Sequence, residues 1–403
     1  MKSTSSRSLL GFELVLLLAV CLALGFSPAQ AAQVVPNDLP GTSGTAKTVA
    51  PPEAVPPTAA KPDILTIGVL VPQSGRFQIV GDQTLKGVEL AAEVFGRPQA
   101  GGARVAVRDC GAGAEAAAAG LRQLAAEEGA QVVIALLGSS HARRVGQEAK
   151  QLGLPLLALC RDAGLPCGEM VFRNFLTSRG QVEHLAAFAK ERNLLRLAIV
   201  WPQDAYGKEM AALMRAEASR RGLKVVAEAG YDPKQSNIAA NLKALAPKTP
   251  VDAVFLPEGC VKAAVLIPQF AHAGLRNIKF LGPNLWNDPR FVVGLEGSSI
   301  EAFFPDAFQL DSPDPAVNSF VEGYRGLFGE DPSYVAAQSY DDARMALAAF
   351  ASGAKSRPAV ARALAATKDF AGVTGTTSLS AKGDAKKALC TLTIRQRRIT
   401  PVQ

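Results

Sequence analysis

Histidine is scarce in this 403-residue chain. His141, His184 and His272 are far apart, and no cysteine stands at metal-ligand spacing, so a structural zinc is not expected. No G-x-G-x-x-G follows a strand-like run, and the chain has no Walker loop, no G-x-S-x-G elbow and no H-E-x-x-H. Ser140 and His141 are neighbours, but adjacency does not set a nucleophile-base hydrogen bond and no third orienting group is evident. Catalysis and a resident cofactor are therefore not expected. Dense charge is also missing: the net charge of +7 is scattered. The one tight basic cluster, Arg395-Gln-Arg-Arg398, lies at the very end and reads as a solvated strand end, so nucleic acid is not an expected partner.

Long apolar runs are lacking too. The longest spans residues 14–26, which is short for a stable membrane anchor. With Lys2 and Arg7 before it and Ala29-Gln30-Ala31 after it, the run reads as a secretory signal cut after Ala31. A cut before Cys21 competes, because LAVC resembles a lipobox, but Val20 is bulkier than the small residue that position wants. Residues 32–62, rich in Pro, Ala, Thr and Gly, have too little large apolar content to pack and read as a flexible tether. Five cysteines remain after export, an odd number, so at least one is free or pairs between chains. Cys160 and Cys167 flank the short loop CRDAGLPC and are the preferred bridge.

What the chain does have is apolar content, 48% hydrophobic against 20% charged, enough to bury a large core. Apolar runs at 64–71, 104–108, 131–137 and 154–159 alternate with helix-length segments at 83–95, 114–129 and 140–153. Leu85, Val88, Ala92 and Phe95 recur at helical spacing. Continuous apolar strands alternating with helices imply parallel pairing covered on both faces. The pattern restarts with strands at 195–201, 222–229, 251–257 and 278–282, and with helices near 207–221, 235–246 and 261–274. Pro72-Gln73-Ser74-Gly75 and Pro202-Gln203-Asp204-Ala205-Tyr206-Gly207 punctuate the two halves alike, a weak internal echo. Helices at 314–328 and 335–350 follow, and GTTSLSA and KALCTLTIR close the chain around a turn at 382–384.

From about 63 to 396 the chain resembles the type I periplasmic binding protein superfamily, in its leucine/isoleucine/valine-binding branch of ABC-transporter receptors. The pieces that carry the resemblance are IGVLVPQSG, DQTLKGVELAAE, VIALLGSSHA, LPLLAL, VFRNFLTSRGQV, IVWPQDAYGKEM, FAHAGLRNIKFLGPN and FVEGYRGLFGEDPSYVAAQSYDDARMAL, with the glycine pattern of 372–384. Each is weak alone; their order over more than 300 residues is specific. VFRNF, PNLWNDPRFV and FVEGYRGLFGEDPS look most like the subgroup labelled penicillin-binding-protein activators. The resemblance implies two doubly wound parallel-sheet α/β lobes joined by a three-strand hinge, with a ligand clamped between them. The first lobe would take 63–175 and 305–366, and the second 176–304 and 367–403. A repressor of the same fold is excluded by the export signal and the missing N-terminal helix-turn-helix.

Ligands bind such sheets at the carboxyl ends of the strands. Ser139, Ser140 and His141 end a strand and open a helix, where hydroxyls and N–H groups can meet a carboxylate or simply cap the helix. In the amino-acid receptors the third place is a small hydroxyl residue, so His141 departs from the pattern. Cys160, Arg161 and Asp162 follow the fourth strand, where those receptors hold the α-carboxylate and α-ammonium; Arg161 suits an acid and Asp162 an ammonium. Tyr206 matches a tyrosine that stacks on ligands. Glu258, Asn284 and Trp286 end two further strands, and the receptors place an acid near 284 that this chain lacks unless Glu258 substitutes. The expectation is a periplasmic solute-binding protein that takes an amino acid or related carboxylate and presents it to an inner-membrane permease. The competing reading is an envelope module that contacts a penicillin-binding protein.

Overall fold

Strands form wherever the chain offers a short apolar run that can be covered on both sides, and the computed structural model places two such sets side by side. It describes residues 64–93, 103–245 and 250–402. The expected export signal, the tether and Phe95 lie outside the described residues.

The first set is β1 (Thr66–Val71), α1 (Gln78–Ala92), β2 (Arg104–Asp109), α2 (Ala114–Ala126), β3 (Val132–Leu136), α3 (Ser139–Gln151), β4 (Leu156–Leu159) and β5 (Val171–Arg173). Its strands form an all-parallel sheet in the order β2-β1-β3-β4-β5, with Ile67 opposite Val132 and Val69 opposite Ile134. Alternate residues of each strand enter different clusters. Ile67, Val69 and Ile134 pack with Val88 of α1, while Leu70, Val133 and Ala135 pack with Leu121 of α2 and Val145 of α3.

The second set is α4 (Ser178–Glu191), β6 (Arg196–Pro202), α5 (Ala205–Arg221), β7 (Lys224–Tyr231), α6 (Ala239–Leu245), β8 (Ala253–Phe255), α7 (Cys260–His272), β9 (Lys279–Leu281), α8 (Pro289–Gly294) and β10 (Glu301–Asp306). Then α9 (Pro315–Phe328), α10 (Tyr334–Ala351) and α11 (Arg357–Ala365) return to the first lobe. There Val335, Ala346 and Leu364 complete the cluster over the face that α1 covers. β11 (Phe370–Gly372), β12 (Gly375–Ser378) and β13 (Lys386–Lys387) make a small antiparallel sheet tied to the first lobe through Phe370, Leu379 and the backbone pairing of Arg173 with 383–385. β14 (Cys390–Arg395) and β15 (Arg398–Pro401) extend the second sheet, ordered β15-β14-β10-β9-β8-β6-β7 and antiparallel only at the β14 and β15 end. The architecture is two doubly wound lobes, and the described chain passes between their sheets at 174–177, 307–314 and 388–389.

The echo between the halves has a physical counterpart. A Cβ on Gly81 of α1 would stand 2.1 Å from the Pro72 carbonyl oxygen, and one on Gly207 of α5 would stand 2.0 Å from that of Pro202. Each lobe thus seats a helix against the carbonyl that ends its first strand, at a distance only glycine allows. Gly207→Ala is expected to cost about 2 kcal/mol, read as a lower urea midpoint with an unchanged slope.

Where the lobes join, α10 contributes two adjacent buried carboxylates. Asp341 accepts the N–H groups of Val373 (2.9 Å) and Thr374 (2.8 Å) and the Thr374 hydroxyl (2.5 Å). Asp342 accepts from Asn174 Nδ2 at 2.6 Å, and its second oxygen has no partner among the described residues. Lys387 of β13 donates to Thr374 Oγ1 at 2.5 Å. Burial pushes Asp341 up, pushes Asp342 up to about 8 and pulls Lys387 down, while the negative charges of Asp341, Asp342 and Asp306 partly offset the last of these.

Candidate functional site

The carboxyl ends of both sheets face one another, and the groups found there come from both lobes. Arg161 follows β4 and donates from Nη2 to the Tyr334 hydroxyl at 2.8 Å. Its guanidinium lies 5.4 Å from the centre of the Phe175 ring, and that ring is 5.8 Å from the Tyr334 ring. Ser333 caps α10 through a bond from Ala336 N, which fixes Tyr334 in the first helical position. Burial alone would lower the Arg161 pKa, but Tyr334, Tyr206 and Asp306 hold it above the ordinary value. Tyr206 and Asp306 belong to the second lobe, so this is the charge around which the lobes meet.

Tyr206 opens α5 behind its cap Asp204, which accepts from Gly207 N at 2.7 Å. Its hydroxyl is buried without a partner among the described residues, and burial pushes it up to about 12. Glu258 is committed: Oε2 accepts from the Tyr231 hydroxyl (2.6 Å), Oε1 accepts from Gly259 N (2.9 Å), and Lys262 stands 3.7 Å away. Asp306 is committed as well. Its Oδ1 accepts from Ala307 N (2.7 Å) and Phe308 N (3.3 Å) and its Oδ2 from Asn287 Nδ2 (2.8 Å), while burial pushes it up to about 6. Asn284 is fully buried, with its backbone N–H on Gln181 Oε1 and both side-chain polar atoms without partners among the described residues.

The remaining expected residues divide. Ser139 and Ser140 are exposed in the first turn of α3, and Gly138, not a serine, occupies the cap position. His141 is partly buried, and both its ring nitrogens lack partners among the described residues. Cys160, Asp162 and Trp286 are put to other uses. Cys160 is buried in the first-lobe core beside Leu165, and Asp162 Oδ1 accepts from Gly164 N at 2.6 Å. Trp286 is fully buried against Phe291 and Phe304, with Nε1 donating to the Glu258 carbonyl (2.9 Å).

Cys160 and Cys167, the expected bridge, are unbridged in the structure, as are Cys110, Cys260 and Cys390, and the first two belong to the same cluster. The Asp162 turn directs Cys160 into the core, where burial pushes its thiol up to about 11, while Cys167 faces Asp384 Oδ1 at 3.8 Å. Tyr334, Phe175 and Asp306 were not read as site residues. Tyr334 had a usable signal, a serine cap ahead of a helical stretch; Asp306 ends the strand EAFFPD, whose sequence carries no such mark.

Two doubly wound lobes meeting at their strand ends, with paired tyrosines and one guanidinium between them, define a two-lobed binding protein. The chain belongs to the periplasmic binding protein family, whose model matches residues 64–396. It is 21% identical over 296 residues to the Leu/Ile/Val-binding protein homolog 8 of Brucella abortus, covering 68% of this chain and 72% of the relative. The branched-chain amino acid transporter substrate-binding protein LivJ from Streptococcus pneumoniae, solved with isoleucine, superposes with a TM-score of 0.69 at 23% identity, covering 83% of this chain and 97% of that one. A solute-binding protein from R. palustris, solved with benzoate, superposes with a TM-score of 0.66 at 20% identity, covering 84% and 95%. Proteins of this kind bind solutes rather than transform them.

Proposed function

We propose that this chain is an exported solute-binding protein of the ABC-transporter type, which captures a small carboxylate-bearing solute between its lobes and presents the closed form to an inner-membrane permease. In this reading residues 1–31 direct export to the periplasm and residues 32–62 are the tether. One observation carries it: Arg161 of the first lobe lies within the electrostatic reach of Tyr206 and Asp306 of the second, so a solute held by that guanidinium touches both lobes and favours their closed arrangement. Relatives that bind amino acids and benzoate support a solute of this size and charge. The experiment is a thermal-shift screen of the purified chain against amino acids, carboxylates and muropeptides. A true ligand at ~100 times its Kd should stabilise the folded state by about 2.7 kcal/mol. A flat response to every compound removes the capture reading.

A further inference from the structure

The groups around the cleft sort by whether their hydrogen bonds are already made. Both second-lobe carboxylates are already engaged on each oxygen: Glu258 by Tyr231 and Gly259, with Lys262 nearby, and Asp306 by Ala307, Phe308 and Asn287. In the first lobe, Asp162 closes its own turn on Gly164. A ligand ammonium losing its water needs about three acceptors and a counter-charge, and it would have to take these oxygens from donors that hold them. The uncommitted groups are of another kind. Arg161 has five N–H donors, and its one hydrogen bond among the described residues goes to Tyr334. No ion pair joins it to Asp306 among those residues. The other unpartnered groups are neutral hydrogen-bonding partners: the Tyr206 hydroxyl, the Asn284 amide and the His141 ring. Beside the guanidinium the wall is aromatic, formed by Phe175 and Tyr334.

Resting on the capture reading, we propose that the cleft selects a small organic acid without an ammonium group, anchored through its carboxylate by Arg161, with Tyr206, Asn284 and His141 bonding neutral parts of the ligand and Phe175 and Tyr334 receiving its apolar body. The guanidinium offers a planar fork that matches a carboxylate in two parallel bonds. An α-amino acid would bring the same carboxylate together with a cation that finds two engaged carboxylates and, at most, the one oxygen that Asp162 does not spend on its turn. Arg161 is therefore the specificity-determining residue of the site.

The test is calorimetric titration of the full mature chain with matched compounds: 4-methylpentanoate against leucine, 3-phenylpropanoate against phenylalanine, and benzoate against benzamide. At least one acid should bind about 10-fold or more tightly than its amino-acid or amide counterpart. Arg161→Gln should weaken that acid by ~30-fold or more and erase the preference, and Arg161→Lys should fall between, because it keeps the charge and loses the fork. Circular dichroism melts of both variants establish that they fold. Leucine or phenylalanine binding as tightly as its desamino acid, or acid affinity surviving in a folded Arg161→Gln, overturns the proposal and leaves the capture reading standing. Binding of none of the six compounds removes this proposal, while the capture reading is decided separately by the wider thermal-shift screen.

Discussion

Lys387→Met is expected to destabilise the chain by about 3 kcal/mol at pH 7, seen as a lower urea midpoint, and by less at pH 5. The lysine ammonium bonds to Thr374 and lies within the electrostatic reach of Asp341, Asp342 and Asp306. Methionine replaces the apolar stem and stops one atom short, so packing changes little and the effect reports the loss of the ammonium together with its bond to Thr374. Removing one partner of a buried pair costs about 3–5 kcal/mol because the other is left uncompensated, and partial exposure of the Lys387 stem places the expectation at the low end. The pH dependence has a definite sign. The lysine stabilises the acids only in their ionised form, so the difference between wild type and variant narrows as they take up protons. A variant within ~0.5 kcal/mol of wild type, or a deficit that grows toward acid, would show that this ammonium does not hold the crossover region together. Because Thr374 and Asp341 link β13 to α10 where the chain passes between lobes, the same loss should make protease cleavage near 372–389 faster.

Much of the fold was legible because two-sided burial leaves a plain mark. Runs such as VVIAL and LLAL became the central strands β3 and β4 near their expected bounds, and the restart at 195 became the second sheet. What escaped was short or read for another purpose. VFR, only three residues inside VFRNFLTSRGQV, is the edge strand β5, and α4, with its Thr177 cap and its apolar residues Val182, Leu185, Ala186 and Ala189, follows directly on it. In the small sheet GTTSLSA was legible and contains β12, whereas β11 and β13 are too short to announce themselves and are held by pairs such as Thr377 opposite Lys387. The site was less legible than the fold. Sequence placed Arg161, Tyr206, Glu258 and Asn284 at strand ends, but which of their polar atoms are already used depends on residues distant along the chain, Tyr334 on Arg161 and Tyr231 on Glu258. Glu258 was a candidate ammonium partner in sequence and is a filled carboxylate in space.

The two adjacent aspartates of α10 should respond to the same substitution with opposite signs. Both oxygens of Asp341 receive donors, two from Thr374 and one from Val373, so whichever way an asparagine amide is turned its NH2 faces an N–H or O–H. Asp341→Asn is expected to cost about 2–3 kcal/mol at neutral pH, the range for buried donors left unsatisfied. Asp342 uses one oxygen, on Asn174 Nδ2, and an asparagine keeps that acceptor while its NH2 takes the place of an oxygen without a partner. Burial holds Asp342 near 8, well above the ordinary aspartate value of 3.8. Between these two values the folded chain keeps a proton that the unfolded chain has released, so folding binds protons and wild-type stability falls as pH rises from about 4 to about 8. Asp342→Asn removes that titration. It should match wild type at pH 4 and exceed it increasingly toward pH 8, by several kcal/mol, since a tenfold difference in proton affinity is about 1.4 kcal/mol and the two values lie about four such steps apart. Urea denaturation of the two variants at pH 4, 6 and 8 separates the cases. If Asp342→Asn loses stability across the whole range, the second oxygen has a donor and the carboxyl is held ionised, and the account of α10 as one anchored and one surplus acid fails.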